Sequence, residues 1–185
     1  MPSLTSRLLV ADYIKCRLRK DDLHSHWPNC PRLAEPGQVQ FCMRAIGSEL
    51  ENRYSEVFVA MANSLNITPS TAQITYFAVV QELFNDGVNW GRIVALFAFS
   101  GCLAVHCVKK EMSSVVDQIL EWTSEFLENR LHGWITQHGG WVSKATWVPI
   151  ICNSIVYTTH HILFSQFLME FKSFIVIYRP FIAYE

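Results

Sequence analysis

The sequence predicts an all-α domain in which one apolar helix is wrapped by amphipathic ones. Three observations lead there. Apolar residues recur at three- and four-residue spacing in one segment after another, the signature of helices with one buried face. One stretch, Asn89 to Val108, is apolar on every face, with no Asp, Glu, Lys or Arg between Arg92 and Lys109. A helix of that kind must be surrounded, by other helices or by lipid. Counting the periodic segments gives seven or eight helices and no convincing strand, which points to a helical bundle.

Composition narrows the function classes. A chain of 185 residues suffices for one domain plus a tail. Half of it is hydrophobic and the formal net charge is −1, so no basic surface for nucleic acid is expected. Cys16, Cys30, Cys42, Cys102, Cys107 and Cys152 form no CxxC pair and read as reduced, intracellular thiols. Arg7, Asp12, Lys15, Arg17, Arg19 and Lys20 break up any signal-peptide core. There is no nucleophile and base pair, no glycine-rich phosphate loop and no metal set, so neither an enzyme nor a cofactor is expected.

In chain order, Leu4, Leu8, Leu9, Tyr13, Ile14 and Leu18 mark an amphipathic helix over residues 4–20. Residues 21–37, with Pro28, Pro31, Pro36 and Gly37, form a short linker of turn formers. His24, His26 and Cys30 within it lack a fourth ligand at a known spacing, so no metal site is read there. From Gln38 to about Asn63, Phe41, Ala45, Ile46, Leu50, Tyr54, Phe58 and Met61 share one face of one or two helices. Thr68 before Pro69 caps the next helix, with Pro69 at its first position. That helix runs to about Phe84, with Ile74, Phe77, Val80 and Phe84 on one stripe and Tyr76, Val79 and Leu83 on an adjoining one. Asn85-Asp86-Gly87 turns the chain into the central helix. After it come a helix from about Val115 to Arg130 and a short one through Leu131, Trp134 and Ile135 that stops at Gly139-Gly140.

The first turn of the central helix is unusual. A cation at a helix N-terminus opposes the helix dipole, yet Arg92 stands there, next to Gly91, a weak helix former. Arg92 either meets a carboxylate brought by a partner, in the forked geometry guanidinium prefers, or pairs locally with Glu82 or Asp86. Spacing alone leaves both open.

Ala145 to Met169 is twenty-five residues without Asp, Glu, Lys or Arg, flanked by Lys144 and Lys172. That length can span a bilayer, although Asn153, His160, His161 and Gln166 are unfavourable in lipid unless paired. Residues 145–172 are therefore a candidate C-terminal membrane anchor, and residues 173–185 an unassigned tail.

Two motifs identify a family. Asn85-Asp86-Gly87-Val88-Asn89-Trp90-Gly91-Arg92-Ile93-Val94-Ala95, within residues 82–101, resembles the first homology motif (BH1) of the Bcl-2 family, and Trp134-Ile135-Thr136-Gln137-His138-Gly139-Gly140-Trp141 resembles the second (BH2). Leu9-Val10-Ala11-Asp12-Tyr13-Ile14 with Arg17-Leu18 is similar to the fourth motif (BH4), best developed in pro-survival members of the Bcl-2, Bcl-xL and Bcl-w type. Met43-Arg44-Ala45-Ile46-Gly47-Ser48-Glu49-Leu50, within residues 41–54, matches the third (BH3). The resemblance implies a Bcl-2-like helical domain over residues 1–144, with a hydrophobic groove that captures BH3 helices of pro-apoptotic relatives.

Carried over by position, it puts Leu50, Tyr54, Phe58, Met61, Val79, Leu83, Ala95 and Phe99 on that groove, where their spacing alone would equally suit ordinary core. Arg92 becomes the partner of the ligand's aspartate, Asn89 a hydrogen-bonding neighbour, and Gly91 the point of close approach. The implied partners are BH3-only proteins and Bak/Bax-like effectors, met at the mitochondrial outer membrane or endoplasmic reticulum membrane with a cytosolic pool. Ser48 departs from the pattern. Family ligands carry Gly-Asp there, and Glu49 next door points about 100° away. The chain should be a poor ligand with a good receptor site, a pro-survival pattern; the alternative within the fold is a pore-forming effector.

Overall fold

The computed structural model describes residues 6–65 and 67–141. They form seven α-helices: α1 Ser6–Lys20, α2 Gln38–Arg53, α3 Ser55–Ser64, α4 Ala72–Leu83, α5 Trp90–Lys109, α6 Ser114–Phe126 and α7 His132–Gln137. A π-helical turn, Leu127–Leu131, joins α6 to α7. No strand occurs among the described residues. The candidate membrane anchor and the tail beyond it lie outside the described residues.

Helix α5 is the post. Fourteen of its 20 residues are buried, under α1, α2, α3, α4 and α6. It is also the one helix among the described residues long and apolar enough to cross a membrane, and here protein takes the place of lipid around it. Its start is built by the turn foreseen at Asn85-Asp86-Gly87: Gly87 adopts φ +100°, a left-handed conformation open to glycine without steric penalty. At its far end Glu111 takes φ +61°, and Met112 N–H donates to the Cys107 carbonyl at 2.8 Å. Asp22 closes α1 in the same way, with φ +58° and a 2.9 Å bond from Leu23 N–H to the Leu18 carbonyl. Both are left-handed helix stops that satisfy terminal carbonyls without glycine.

One hydroxyl cluster crosses the apolar interior. Tyr76 Oη lies 2.7 Å from Thr123 Oγ1 and 3.2 Å from Ser100 Oγ, tying α4, α5 and α6. Burial pushes the Tyr76 phenol up to about 12, so it stays a neutral donor. Ser100 and Thr123 also donate back to their own helices, to Leu96 and Ile119 carbonyls, which leaves none of the three without a bond.

Helices α1 and α2 meet along a polar seam. Arg44 grips Asp12 through Nε, 2.8 Å from Oδ2, and through Nη2. Tyr13 donates to Glu51 Oε1 at 2.7 Å, Arg17 donates to the other oxygen of Glu51, and Arg17 also holds Asp21 at 2.9 Å. Burial pushes the Glu51 carboxyl up, and the Arg17 charge with the Tyr13 bond offsets only part of that. Two glycines make room for Tyr13. A Cβ on Gly47 of α2 would come within 2.7 Å of Tyr13 Cζ, and one on Gly101 of α5 within 3.0 Å of Tyr13 Cε1.

Several expectations change. The 38–63 segment, read as one or two helices, is two, α2 and α3, meeting at Tyr54, but the inward side of α2 is Met43, Gly47 and Glu51 and not the apolar face expected. Phe41 is 57% exposed and Ala45 faces out, because the seam with α1 turns the helix about its axis relative to a purely apolar face. The helix expected to begin at Pro69 begins at Ala72. Thr68 instead caps a preceding turn, its Oγ1 accepting from Thr71 N–H at 3.3 Å. On α4 the buried side is Tyr76, Val79, Val80 and Leu83, while Ile74 is 69% exposed. The linker contains a 3₁₀ turn at His24–His26 and a buried residue, Trp27, whose indole N–H donates to Asp117 Oδ1 at 2.7 Å.

Replacing Gly47 by Ala should destabilise the domain by about 1–3 kcal/mol in urea unfolding, since Tyr13 is held on both sides and cannot retreat. An unchanged midpoint would mean that the α1–α2 seam is looser than described.

Candidate functional site

The turn between α4 and α5 places the charged end of the site. Asn89, in extended backbone, is the N-cap of α5: its side-chain oxygen accepts from Arg92 N–H at 2.9 Å. That bond satisfies one of the helix's free donors and fixes where Arg92 leaves the backbone. The guanidinium folds back over the turn. Nη1 donates to the Gly87 carbonyl at 2.7 Å, and Nη2 meets Asp86 Oδ2 at 3.1 Å. Its side chain is 14% exposed, that of Asp86 57%. Of the two readings left open by spacing, the local pair is therefore present, with Asp86 and not Glu82. A partner's carboxylate would have to compete for the same fork.

The apolar residues gather in one cluster. Phe58 and Met61 of α3, Val79 and Leu83 of α4, and Ala95 and Phe99 of α5 are all buried, and Leu50 and Tyr54 pack half-buried against them. Asn89, Gly91 and Arg92 are half-buried. The six buried side chains are closed over in this arrangement, so a ligand helix reaches them only if what covers them shifts. Phe58 also borders a cavity of about 210 Å³ toward α1, together with Val59, Cys102, Arg17 and Glu51. The Cys102 thiol there points at the Phe58 carbonyl, 3.7 Å away.

An aromatic cluster locks the two motif regions together, which periodicity did not foretell. Trp90 of α5 packs edge-on against Trp134 of α7 at 5.4 Å and Trp141 at 5.8 Å, and Trp141 reaches Phe97 at 6.2 Å. His138 stacks on Trp134 at 3.9 Å. The sequence signal was the recurrence of tryptophan in both motifs. At the position where the third motif carries Asp in family ligands, Ser48 accepts a hydrogen bond from Lys20 of α1, and Glu49 turns outward to Arg53 at 3.1 Å. Among the described residues no three His, Cys, Asp or Glu side chains gather as a metal site would require.

The family model for apoptosis regulator proteins of the Bcl-2 family matches residues 43–141. The chain belongs to the Bcl-2 family. Individual relatives agree: it is 49% identical over 110 residues to the protein named apoptosis regulator Bcl-2 of Gallus gallus, covering 60% of this chain and 47% of that one. It is 46% identical over 106 residues to the protein of the same name of Canis lupus familiaris, covering 57% and 45%. It is 47% identical over 103 residues to Bcl-2-like protein 1 of Homo sapiens, covering 56% and 44%. The matched stretch spans about half the length of these relatives. The family match runs from Met43 in α2 to Trp141, just past α7.

Substituting Asn89 by Ala should lower stability by about 1 kcal/mol through loss of the α5 cap, measured by thermal or urea unfolding. A neutral effect would show that the cap is carried by other groups.

Proposed function

We propose that this Bcl-2 family member is a pro-survival regulator of apoptosis, a binding protein without catalysis. It receives the BH3 helices of BH3-only proteins and Bak/Bax-like effectors on Leu50, Tyr54, Phe58, Met61, Val79, Leu83, Ala95 and Phe99, and so blocks permeabilisation of the mitochondrial outer membrane. The observation that carries this is Arg92: a half-buried cation in the first turn of α5, the helix that also brings Ala95 and Phe99 to the apolar cluster, held by the Asn89 cap in a position from which its fork faces the surface turn. Gly91 beside it offers close backbone approach. The motif resemblance and the names of the relatives support the same reading. Because the apolar cluster is closed, binding includes an opening step, the kind of rearrangement regulatory complexes often need.

Membrane association through residues 145–172, at mitochondria or endoplasmic reticulum, belongs to the same proposal. The second reading, a pore-forming effector, draws on α5 being long and apolar enough to cross a bilayer. Against it stand two features of the receptor reading: the BH4-like helix is firmly seated in the seam, and Ser48 lacks the acid a ligand needs.

The full chain should bind a helical peptide bearing Leu-x-x-x-Gly-Asp with a dissociation constant near or below micromolar, about −8 kcal/mol. Arg92→Ala should weaken that binding by about 2–5 kcal/mol, because the ligand's carboxylate is left desolvated and unpaired. Calorimetry without saturation over a panel of such peptides would remove the proposal.

A further inference from the structure

The cation that the proposed function needs is already engaged, and its present partner is the more exposed of the two. Asp86 is only six residues away on the same turn, so no encounter step separates the pair and its effective concentration is high. The two contacts of the guanidinium differ in kind. The Gly87 carbonyl, 2.7 Å from Nη1, is neutral and leaves room for a second acceptor on the fork. The Asp86 carboxylate, 3.1 Å from Nη2, carries the same charge as the expected ligand acid. A ligand carboxylate arriving at Arg92 either takes Nη2 from Asp86 or shares the guanidinium with a like charge beside it. Both outcomes subtract from what the ligand's acid contributes. A ligand with an amide in that place leaves the Arg92–Asp86 pair intact and loses nothing by it.

We infer that Asp86 is a built-in competitor for Arg92, and that it sets how strongly this receptor discriminates helices with an acid at the Arg92 position from otherwise identical helices without one. The inference rests on the groove reading above and deepens it: Arg92 confers the preference and Asp86 limits it. Specificity is a difference of affinities, and here the difference is reduced from inside the protein, in a turn whose geometry Gly87 and the Asn89 cap fix.

The test uses the full chain and its Asp86→Asn variant, with Asp86→Ser as a second neutral replacement. Each is titrated calorimetrically with two helical peptides identical except that one carries Leu-x-x-x-Gly-Asp and the other Leu-x-x-x-Gly-Asn. Thermal unfolding checks that each variant is folded. Neutralising Asp86 should tighten binding of the Asp peptide by about two- to five-fold, the range expected for an exposed ion pair. It should leave the Asn peptide unchanged, so the Asp-to-Asn ratio widens by the same factor, and the gain should shrink at high salt. Weaker binding of the Asp peptide by both variants, or an unchanged ratio, overturns the inference while the groove reading stands. Failure of the parent chain to bind either peptide overturns both.

Discussion

An apolar helix of 20 residues cannot stand in water, and the rest of this domain is arranged to cover it. The burial of α5 by its neighbours accounts for the helix count, the short connections and the all-round apolar sequence. It also explains why the interior tolerates the Tyr76, Ser100 and Thr123 hydroxyls: each finds a partner among the other two or on its own helix, so three packed helices are joined without an unsatisfied polar atom in that cluster. Because burial of α5 begins only at Ile93, Arg92, the only charged residue of its first turn, lies where the core meets the surface. The position of the proposed site follows from the wrapping.

The polar seam between α1 and α2 adds a second constraint. Asp12, Tyr13 and Arg17 hold Arg44 and Glu51, and Gly47 lets the helices close on Tyr13. The inward side of the BH3-like helix is thereby committed to its own protein. Lys20 sits on Ser48, so even the position where a ligand of this family would show its acid is turned to an internal contact. These contacts fit a receptor better than a ligand, which is the physical content of the pro-survival proposal.

Much of this was legible in the sequence, and the failures have identifiable causes. The central helix, the Asn85-Asp86-Gly87 turn and the glycine stop at 139–140 were readable because periodicity and turn chemistry are local. The face of α2 was misjudged because apolar spacing predicts an apolar interface, and here Glu51 is buried against Arg17 and Tyr13 while Phe41 is left outside. The ends of α1 and α5 were readable from the turn formers after residue 20 and the charged run at 109–111, but their left-handed stops at Asp22 and Glu111 were not, because neither is glycine. Trp27, inside a segment that reads as linker, is anchored by Asp117, ninety residues away. For the site, the motif resemblance located Arg92 and Asn89, and spacing offered Asp86 as one of two local partners. Only coordinates could choose Asp86 over Glu82 and show the apolar set closed over.

In the proposed function α5 remains the covered post and acts through a receptor site at its N-terminus, without entering a bilayer itself. Dye release from liposomes of mitochondrial lipid composition, with the full chain added together with a BH3-type peptide, tests it most directly. Vesicles should stay intact, and the release caused by a pore-forming relative should be suppressed. Release by this chain comparable to that of a known pore former would contradict it and assign the effector role to α5.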